Sequence, residues 1–493
     1  MSDKRELWIC LAVATAIVAL QSFVLLRYEQ FFDSDQAVYG LMAKHLSEFR
    51  TFPLFFYGQN YMLGVQSWLA VPFLWVGDVT VAWLRAPIVV LNLSVALGFT
   101  WFFVRQGLRP VLALCAAMPV IAFTPAKALE FGAIYGAGVE PFGYALLLWW
   151  LRHRPLAFGA VLGVGTLHRE FTFLALPALA IATWDDRQYH SWRSLAGRAA
   201  GFAGVWLVVD VLKRNINTLG PAGGTFESGS VALGAKTFLS WLSFDWAAYA
   251  GRTWEMVTKG FPVLFGGHSY SLSTYSSPVE MEAGSVVGAV ALSLALVVAI
   301  GRTVWVRARG TAPIEPSRRQ LARYFIALAV LNLLIYGLNS GIALGDTPIL
   351  RYVLFTPLAV IAVLATFFTL DHAARWRTTV ALALAVWTGT MVVDNARLVR
   401  EVVRNPPTSQ HRELADYLVA HDIRYAWAIY WDAYVITFFT KERVTVASTT
   451  SVRISAYQEA VEQHPSETYT LRRWPCEGGT KVAGWCVIPP DGQ

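Results

Sequence analysis

Long apolar blocks separated by polar stretches dominate the chain of 493 residues. Backbone N–H and C=O groups cannot stay unpaired in hydrocarbon, so blocks that cross a bilayer must be helices. Several blocks are shorter than the roughly 20 residues of a full crossing. The pattern predicts an α-helical polytopic membrane protein with about eleven transmembrane helices. The blocks lie at positions 7–26, 79–104, 111–125, 131–151, 156–167, 171–184, 199–212, 284–300, 324–341, 352–370 and 378–393.

Composition supports lipid as the solvent of this chain. Hydrophobic residues make up 55% of it and charged residues only 15%, too few to cover the core of a soluble protein of this size. The net charge of +7 is explained by arginines facing anionic lipid. No basic surface interleaved with aromatic residues is apparent, so we expect no nucleic acid as a partner.

Positive charge is distributed unevenly over the connecting segments. If 156–167 and 171–184 are separate short helices, the arginine-rich segments, including the cluster at 302–323, share one side of the membrane. One long helix would move that cluster to the other side. Cytoplasmic loops carry the excess of lysine and arginine, so two helices are favoured. The interpretation is a protein of the cell inner (plasma) membrane with a cytoplasmic N-terminus and a periplasmic or extracellular C-terminus. Each short outer connection then holds one cation: Lys127, Arg169 or Arg351.

Three outer segments are too long to be simple turns: 27–78, 213–283 and the tail 394–493. Alternating strand and helix patterns in the tail predict a small soluble α/β domain that follows a membrane module at 1–393. The predicted helices are 413–420 and 456–463, and the predicted strands are 424–430, 443–448 and 482–488. An oxidising compartment would favour a disulfide between Cys476 and Cys486 in this tail.

The most distinctive polar motif, Asp33–Ser34–Asp35, follows the first apolar block beside two phenylalanines. Charge at a membrane surface is costly unless it is used. An amphipathic helix is predicted next, and Asp33 can cap it with Gln36 as the capping-box partner. A cap explains one carboxylate better than two. The other can accept a proton from a sugar hydroxyl, and the two together can also offer oxygen ligands to a divalent cation.

Other polar residues of the outer connections are candidates for substrate binding. One group is Tyr57, Gln59, Asn60 and Tyr61, on a predicted turn that could equally be only a loop. Another is Glu140 before Pro141, which predicts a carboxylate at the outer mouth of a span, facing a cavity or only capping the helix.

Two further polar segments lie at the ends of apolar blocks. His168, Arg169 and Glu170 form a hinge between short helices, which either lines a water-filled cavity or holds a self-satisfied Arg169–Glu170 ion pair, the interpretation favoured for Glu170. Arg351 and Tyr352 open a late block, where an arginine can form forked hydrogen bonds to phosphate or anchor in lipid headgroups.

The chain resembles the glycosyltransferase-C superfamily, in particular the bacterial polyprenyl-phosphate-sugar enzymes that include protein O-mannosyltransferases and the aminoarabinose transferase of lipid A. The resemblance rests on Asp33–Ser34–Asp35 in the first outer segment, the amphipathic helix after it, the many spans and Arg351–Tyr352 with Pro357. It implies an acidic first-loop residue as catalytic base, Asp35 or Asp33. It also implies an outer arginine on the donor phosphate, Arg351, helped by Lys127 or Arg169.

By this resemblance the function is inverting transfer of a sugar from a polyprenyl phosphate to a hydroxyl of an outer-face acceptor, which can be a glycolipid, a polymer or a protein. A transporter or flippase of lipid-linked sugars is the alternative, but its ionisable residues would concentrate near the bilayer midplane. A scaffold acting only through its tail would leave Asp33, Asp35 and Arg351 unexplained.

Overall fold

A computed structural model describes residues 2–30, 32–59, 62–134, 138–216, 245–266, 283–310, 315–338 and 353–490. The part before the tail is helical. Its helices are α1 (Ser2–Arg27), α2 (Ser34–Ser47), α3 (Val65–Val76), α4 (Val81–Arg105), α5 (Pro110–Ala117), α6 (Pro125–Gly132), α7 (Glu140–Leu151), α8 (Pro155–His168), α9 (Ala175–Ala182), α10 (Arg187–His190), α11 (Trp192–Ile216), α12 (Trp246–Glu255), α13 (Phe261–Phe265), α14 (Ala283–Ala308), α15 (Pro316–Leu338), α16 (Thr356–Leu370) and α17 (Ala374–Arg404).

The helical part is that of a multi-pass membrane protein. Within the described ranges, six helices are long and apolar enough to cross a membrane, and the bent pair formed by α5 and α6 could count as a seventh span. The six are α1, α4, α11, α14, α15 and α17. Shorter apolar helices of 10–17 residues accompany them, including α3, α8 and α16. The fold class is as predicted, whereas the count of eleven spans stays a prediction.

A sharp break separates α5 from α6, which are bent by 76° relative to each other. Helix breaks inside a membrane protein need side chains that satisfy the freed backbone groups. Gln21 of α1 donates to the carbonyl of Ile121 at 2.9 Å and accepts from the amide of Phe123 at 3.1 Å. Asn395 of α17 donates to the carbonyl of Phe123 at 2.8 Å. Polar residues of two neighbouring helices therefore stabilise this break.

Three boundaries bear on the site. The chain is broken after α8, where a 3₁₀ turn over Glu170–Leu174 leads into α9, so two short helices are present as predicted. The predicted outer segment 27–78 contains the apolar helix α3, which we did not predict because its 12 residues are too few for a span. The last long helix, α17, continues to Arg404, beyond the predicted start of the tail at position 394, and the linker to the tail domain follows Arg404.

The tail is an α/β unit. Its elements are α18 (Gln410–Ala420), β1 (Tyr425–Ala428), α19 (Tyr430–Phe439), β2 (Thr445–Ser448), α20 (Ser455–Glu462), β3 (Thr468–Arg473), β4 (Thr480–Val482) and β5 (Trp485–Ile488). The strands form one five-stranded sheet in the order β2-β1-β3-β5-β4. β1 is parallel to β2 and β3, whereas β5 is antiparallel to β3 and β4. Five of these elements were predicted, namely α18, β1, β2, α20 and β5, whereas α19, β3 and β4 were not. A disulfide joins Cys476 to Cys486.

The tail domain and the first outer segment share one hydrophobic core. Phe32 and the apolar face of α2 pack with residues of α18, α19 and β1, and the Phe32 ring lies 5.0 Å from that of Phe438. Glu442, after α19, is the polar centre of this interface. It accepts from Lys44 at 2.6 Å, from Arg50 at 2.6 Å and from His45 at 2.9 Å. The tail therefore holds α2 in place.

Ion pairs connect the ends of the long helices that do not meet the tail domain. Because many arginines lie there, we call this the arginine-rich end. The ion pairs join the start of α1 to α5, the turn after α9 to α15, and the end of α14 to the turn after α16. The pairs are Arg109–Glu6 at 3.3 Å, Arg323–Asp185 at 3.0 Å and Arg302–Asp371 at 2.7 Å. These are the segments that the charge distribution assigns to the cytoplasm.

Candidate active site

The N-terminus of α2 carries the acidic motif. Asp33 caps the helix, and its carboxylate accepts from the amide of Gln36 at 3.0 Å. Burial raises the pKa of Asp33 to about 6, although that hydrogen bond acts in the opposite direction. The structure therefore shows the capping role that the sequence predicts for Asp33, and the Asp33 carboxylate is engaged at the helix end.

Asp35 lies in the first turn of α2 and meets the tail domain. Its carboxylate accepts a hydrogen bond from the phenol of Tyr430 on α19, and the hydroxyl of Ser34 donates to the Tyr430 carbonyl. Burial and the charge of Asp35 raise the pKa of the Tyr430 phenol, so it stays protonated and donates. The Tyr430 hydroxyl in turn accepts from Arg453 at 3.4 Å. The orientation of the Asp35 carboxylate is thus fixed, and its second oxygen takes no part in the bond to Tyr430.

A buried arginine of α4 fixes the start of α2. Arg85 is 1% exposed and donates to the side-chain oxygen of Gln36 at 2.8 Å. It also donates to the carbonyls of Leu25 and Tyr28 at 2.8 Å each, at the end of α1. Because one guanidinium joins three segments, the acidic motif is held by the membrane module and by the tail.

A second polar cluster lies between α2, α3, α7 and α8, buried among apolar helices. Glu140 at the start of α7 accepts from Gln66 of α3 at 3.0 Å and from Arg169 at 3.3 Å. His168, the last residue of α8, bonds the Tyr144 hydroxyl at 3.0 Å through Nδ1. The structure brings Glu140, His168 and Arg169 together. It also corrects the predicted Arg169–Glu170 pair, because Arg169 pairs with Glu140 and Glu170 is exposed.

Many polar atoms of this cluster have no partner among the described residues. They include Nε and Nη1 of Arg169, Oε2 of Glu140, Nε2 of His168, and the hydroxyl of Tyr39. Tyr39 is fully buried and lies one helical turn after Asp35, on the same face of α2. Buried polar groups are ordinarily hydrogen-bonded, so a cluster with this many free donors and acceptors has the properties of a binding site for a polar ligand.

Lys127 lies apart from the cluster, at the start of α6. Its ammonium donates to the carbonyl of Pro119 at 3.0 Å and lies over the rings of Phe123 and Phe131 at 4.3 and 5.3 Å. Fully buried, it has no carboxylate partner among the described residues. The structure does not bring Lys127 to the acidic motif.

The remaining predicted site residues divide into two groups. The Tyr57 hydroxyl bonds Thr51 at 2.8 Å and His45 at 3.0 Å, so it supports the interface around Glu442. Gln59 has a buried side-chain oxygen without a partner in the described part of the chain. The others, Asn60, Tyr61, Arg351 and Tyr352, lie outside the described residues, as does most of the outer segment 213–283.

A metal site at the acidic motif has no third ligand within the ranges that the structure describes. No group of three or more His, Cys, Asp or Glu residues there could hold a metal ion. A divalent cation at Asp33 and Asp35 would need ligands from a substrate, and it stays a prediction.

Sequence reasoning missed several residues of the site, among them Tyr39, Gln66, Tyr430 and Arg453. Tyr39 stood within the predicted amphipathic helix, and its spacing of four from Asp35 was the available signal. Gln66 is one of two polar residues at the start of an apolar helix. Tyr430 and Arg453 lie about 400 positions beyond the motif, and nothing local indicates their contact with it.

Comparison with known proteins gives similarity in structure only. No protein-family sequence model and no curated protein sequence matches the chain. The chain is similar to ArnT from Cupriavidus metallidurans in the apo state, with a TM-score of 0.44 and 12% identity over 98% of this chain and 97% of that chain. The form of ArnT bound to undecaprenyl phosphate gives a TM-score of 0.42 at 12% identity, over the same shares of the two chains.

The chain is also similar to the apo oligosaccharyltransferase from Archaeoglobus fulgidus, with a TM-score of 0.48 and 13% identity over 95% of this chain and 69% of that chain. Likeness of this extent carries no argument about activity.

Proposed function

We propose that this protein is a membrane glycosyltransferase that moves a sugar from a polyprenyl-phosphate donor to a hydroxyl of a glycolipid, polymer or protein. One observation carries the proposal: α2 presents Asp35 to the tail domain and, one turn later, Tyr39 to a buried cluster in which Arg169 has free donors. A proton acceptor and a buried guanidinium with free donors, both next to α2, are what sugar transfer from a phosphate needs.

In the proposed reaction the acceptor hydroxyl oxygen attacks the anomeric carbon, and the bond from that carbon to the phosphate oxygen breaks. Asp35 takes the proton of the hydroxyl, and the electron pair of the broken bond leaves with the phosphate. Attack opposite to the leaving phosphate inverts the anomeric centre. The hydrogen bond from Tyr430 orients the Asp35 carboxylate, while Asp33, which is engaged as the cap, is the second candidate for the base.

Charge grows on the phosphate as it departs, so a fixed cation nearby stabilises the transition state. Arg169 suits this role because two of its three guanidinium nitrogens are free of partners among the described residues. The planar guanidinium matches phosphate with paired bonds. Arg351 stays a candidate for the same phosphate from the sequence resemblance. Lys127 is less suitable, since its ammonium is enclosed by rings and a backbone carbonyl.

The position of the acidic motif counts against a transporter. The motif follows α1, and its Asp35 contacts Tyr430 of the tail domain. Binding sites of secondary transporters lie near the bilayer midplane. We place this end of the helices, together with the tail domain, on the outer face of the membrane, following the arginine distribution.

The test is transfer from a synthetic polyprenyl-phosphate sugar by purified full-length variants of matched thermal stability. Asp35→Asn keeps the shape of the side chain but cannot take the proton, so we expect transfer to fall by about 10²-fold or more. Arg169→Lys loses the forked bonds, which costs about one to two powers of ten. Glu170→Gln, an exposed neighbour, is the matched control and should keep full activity.

Two results would change the proposal. Loss of activity in Asp33→Asn alone would move the base from Asp35 to Asp33. Full activity in both aspartate variants would remove the first outer segment from catalysis and with it the proposed mechanism. If Arg169→Lys matches wild type while Arg351→Lys does not, the phosphate clamp belongs to Arg351.

A further inference from the structure

A groove opens at the arginine-rich end, away from the candidate active site. It lies between α14, α15 and α16 and has a volume of about 390 Å³. Volumes of about 300–1,000 Å³ are typical of sites for small ligands. Neither the acidic motif nor the Glu140–Arg169 cluster lines it. The proposed transfer reaction therefore leaves this groove unexplained.

The groove has a cationic part. Four arginines line it, and two of them are neutralised: Arg318 pairs with Glu315 at 3.3 Å and Arg323 with Asp185 at 3.0 Å. The other two are Arg307 and Arg319, for which the described part of the chain provides no ion pair. Asp185 also feels the charge of Arg319, but its carboxylate bonds Arg323.

Arg319 strengthens the case for a ligand in this part. It is half-buried, and its Nε is shielded from solvent without a hydrogen-bond partner among the described residues. Arg307 is exposed in the last turn of α14, across the groove. Two guanidinium groups without an ion pair among the described residues, on two helices that line the groove, favour an anion such as a phosphate.

Most of the other residues that line the groove are apolar, and several of them are exposed. Ile300 and Val304 of α14 are 49% and 61% exposed, and Ile326 of α15 is 41% exposed. Val363 and Thr366 of α16 form the floor of the same groove. In a protein surrounded by lipid, exposed aliphatic residues contact acyl chains. The groove therefore offers an anion site at one end and a hydrocarbon surface along its length.

We propose that this groove binds one anionic diacyl phospholipid of the surrounding leaflet. Its phosphate lies between Arg307 and Arg319, and an acyl chain runs along Ile300, Val304 and Ile326. Basic pockets between transmembrane helices bind lipid headgroups for this electrostatic reason. The bound lipid fills the space between three helices and bridges α14 and α15.

The experiment counts bound lipid on the purified full-length protein by native mass spectrometry, with phosphatidylglycerol and phosphatidylcholine of identical acyl chains as probes. Wild type should retain one phosphatidylglycerol at least about tenfold more tightly than phosphatidylcholine, a difference of about 1.4 kcal/mol. The double variant Arg307→Gln/Arg319→Gln should lose this preference. Arg187→Gln/Arg193→Gln removes two exposed arginines at the same end and is the matched control that should keep it.

A second variant tests the hydrocarbon part without changing charge. Val363→Trp fills the floor of the groove and should reduce retention of phosphatidylglycerol, with folding verified by thermal unfolding in lipid-free detergent. Equal binding of the two lipids by wild type would overturn the proposal, as would an equal loss in the control double variant. Competition by inorganic phosphate at the same concentration would reduce the groove to an anion site. Preference for polyprenyl phosphate would make it a donor-lipid site.

Discussion

Glu442 is the residue whose removal should most weaken the hold of the tail domain on α2. Its side chain is 11% exposed, and it bonds Lys44, which is 10% exposed, and His45, which is 3% exposed. Burial acts to raise the pKa of Glu442, but hydrogen bonds from His45, Arg50 and Lys44 outweigh it and hold this pKa well below its usual range. Glu442→Gln keeps the size and one acceptor oxygen but loses the charge.

The magnitude follows from the hydrogen bonds that this substitution weakens. A hydrogen bond to a charged group contributes about 1.5–3 kcal/mol, and two of these bonds involve buried partners. The Arg50 bond adds little, because its side chain is 50% exposed and exposed ion pairs contribute about 0–1 kcal/mol. We expect the variant to lose about 3 kcal/mol, which raises the population of the opened interface by about 10²-fold.

The assay is proteolysis of the purified protein at the linker after Arg404, under conditions where reclosing is faster than cleavage, so that the rate follows the opened population. Glu442→Gln should be cleaved about 10²-fold faster than wild type. Glu477→Gln, an exposed carboxylate in the same domain, should be cleaved at the wild-type rate. Equal rates for the two variants would refute the assignment of Glu442 as the polar centre of the interface.

The same reasoning fixes the pH dependence of the interface. A carboxyl whose pKa is depressed in the folded state stabilises that state fully above its unfolded pKa of about 4.3. The stabilisation is lost as pH falls below that value through the folded pKa. The contribution of Glu442 to the stability of the interface should therefore be constant from neutral pH to about pH 5, and cleavage should rise as this contribution is lost in stronger acid. Glu442→Gln should lack this acid-dependent rise.

Three further predictions concern the site and its orientation. Tyr430→Phe removes the hydroxyl that orients Asp35, so transfer by the folded variant should fall by about tenfold, and an unchanged rate would separate the tail from catalysis. Burial raises the pKa of Asp33 to about 6. Wild-type stability should therefore decline as pH rises through about 4 to 6, and thermal unfolding of Asp33→Asn, which still caps α2, should lack that decline. Cysteines introduced at exposed Gln463 and Arg309 should label from outside intact cells and only after lysis, respectively, and the reverse pattern would invert the topology.

Local sequence was sufficient for much of the membrane part and for half of the tail. Apolar block length located the long helices, and Pro141 after Glu140 located the start of α7. The capping pattern of Asp33 and Gln36 located the start of α2. The failures also have physical causes. Tyr430–Phe439 is rich in aromatic and β-branched residues, which favour strands, yet it is helical because the apolar face of α2 and the sheet bury it together.

By itself, the sequence determined that this protein lies in a lipid bilayer and which charged and polar groups it carries for chemistry. Apolar length, arginine distribution and an acidic motif beside a helix are one-dimensional signals, because each depends on neighbours in the chain. Only the tertiary structure decided which groups meet. It joined Asp35 to Tyr430 across about 400 positions, paired Arg169 with Glu140 rather than with its neighbour Glu170, and enclosed Lys127 away from both. Such contacts depend on helix packing and shared burial, which no local pattern encodes.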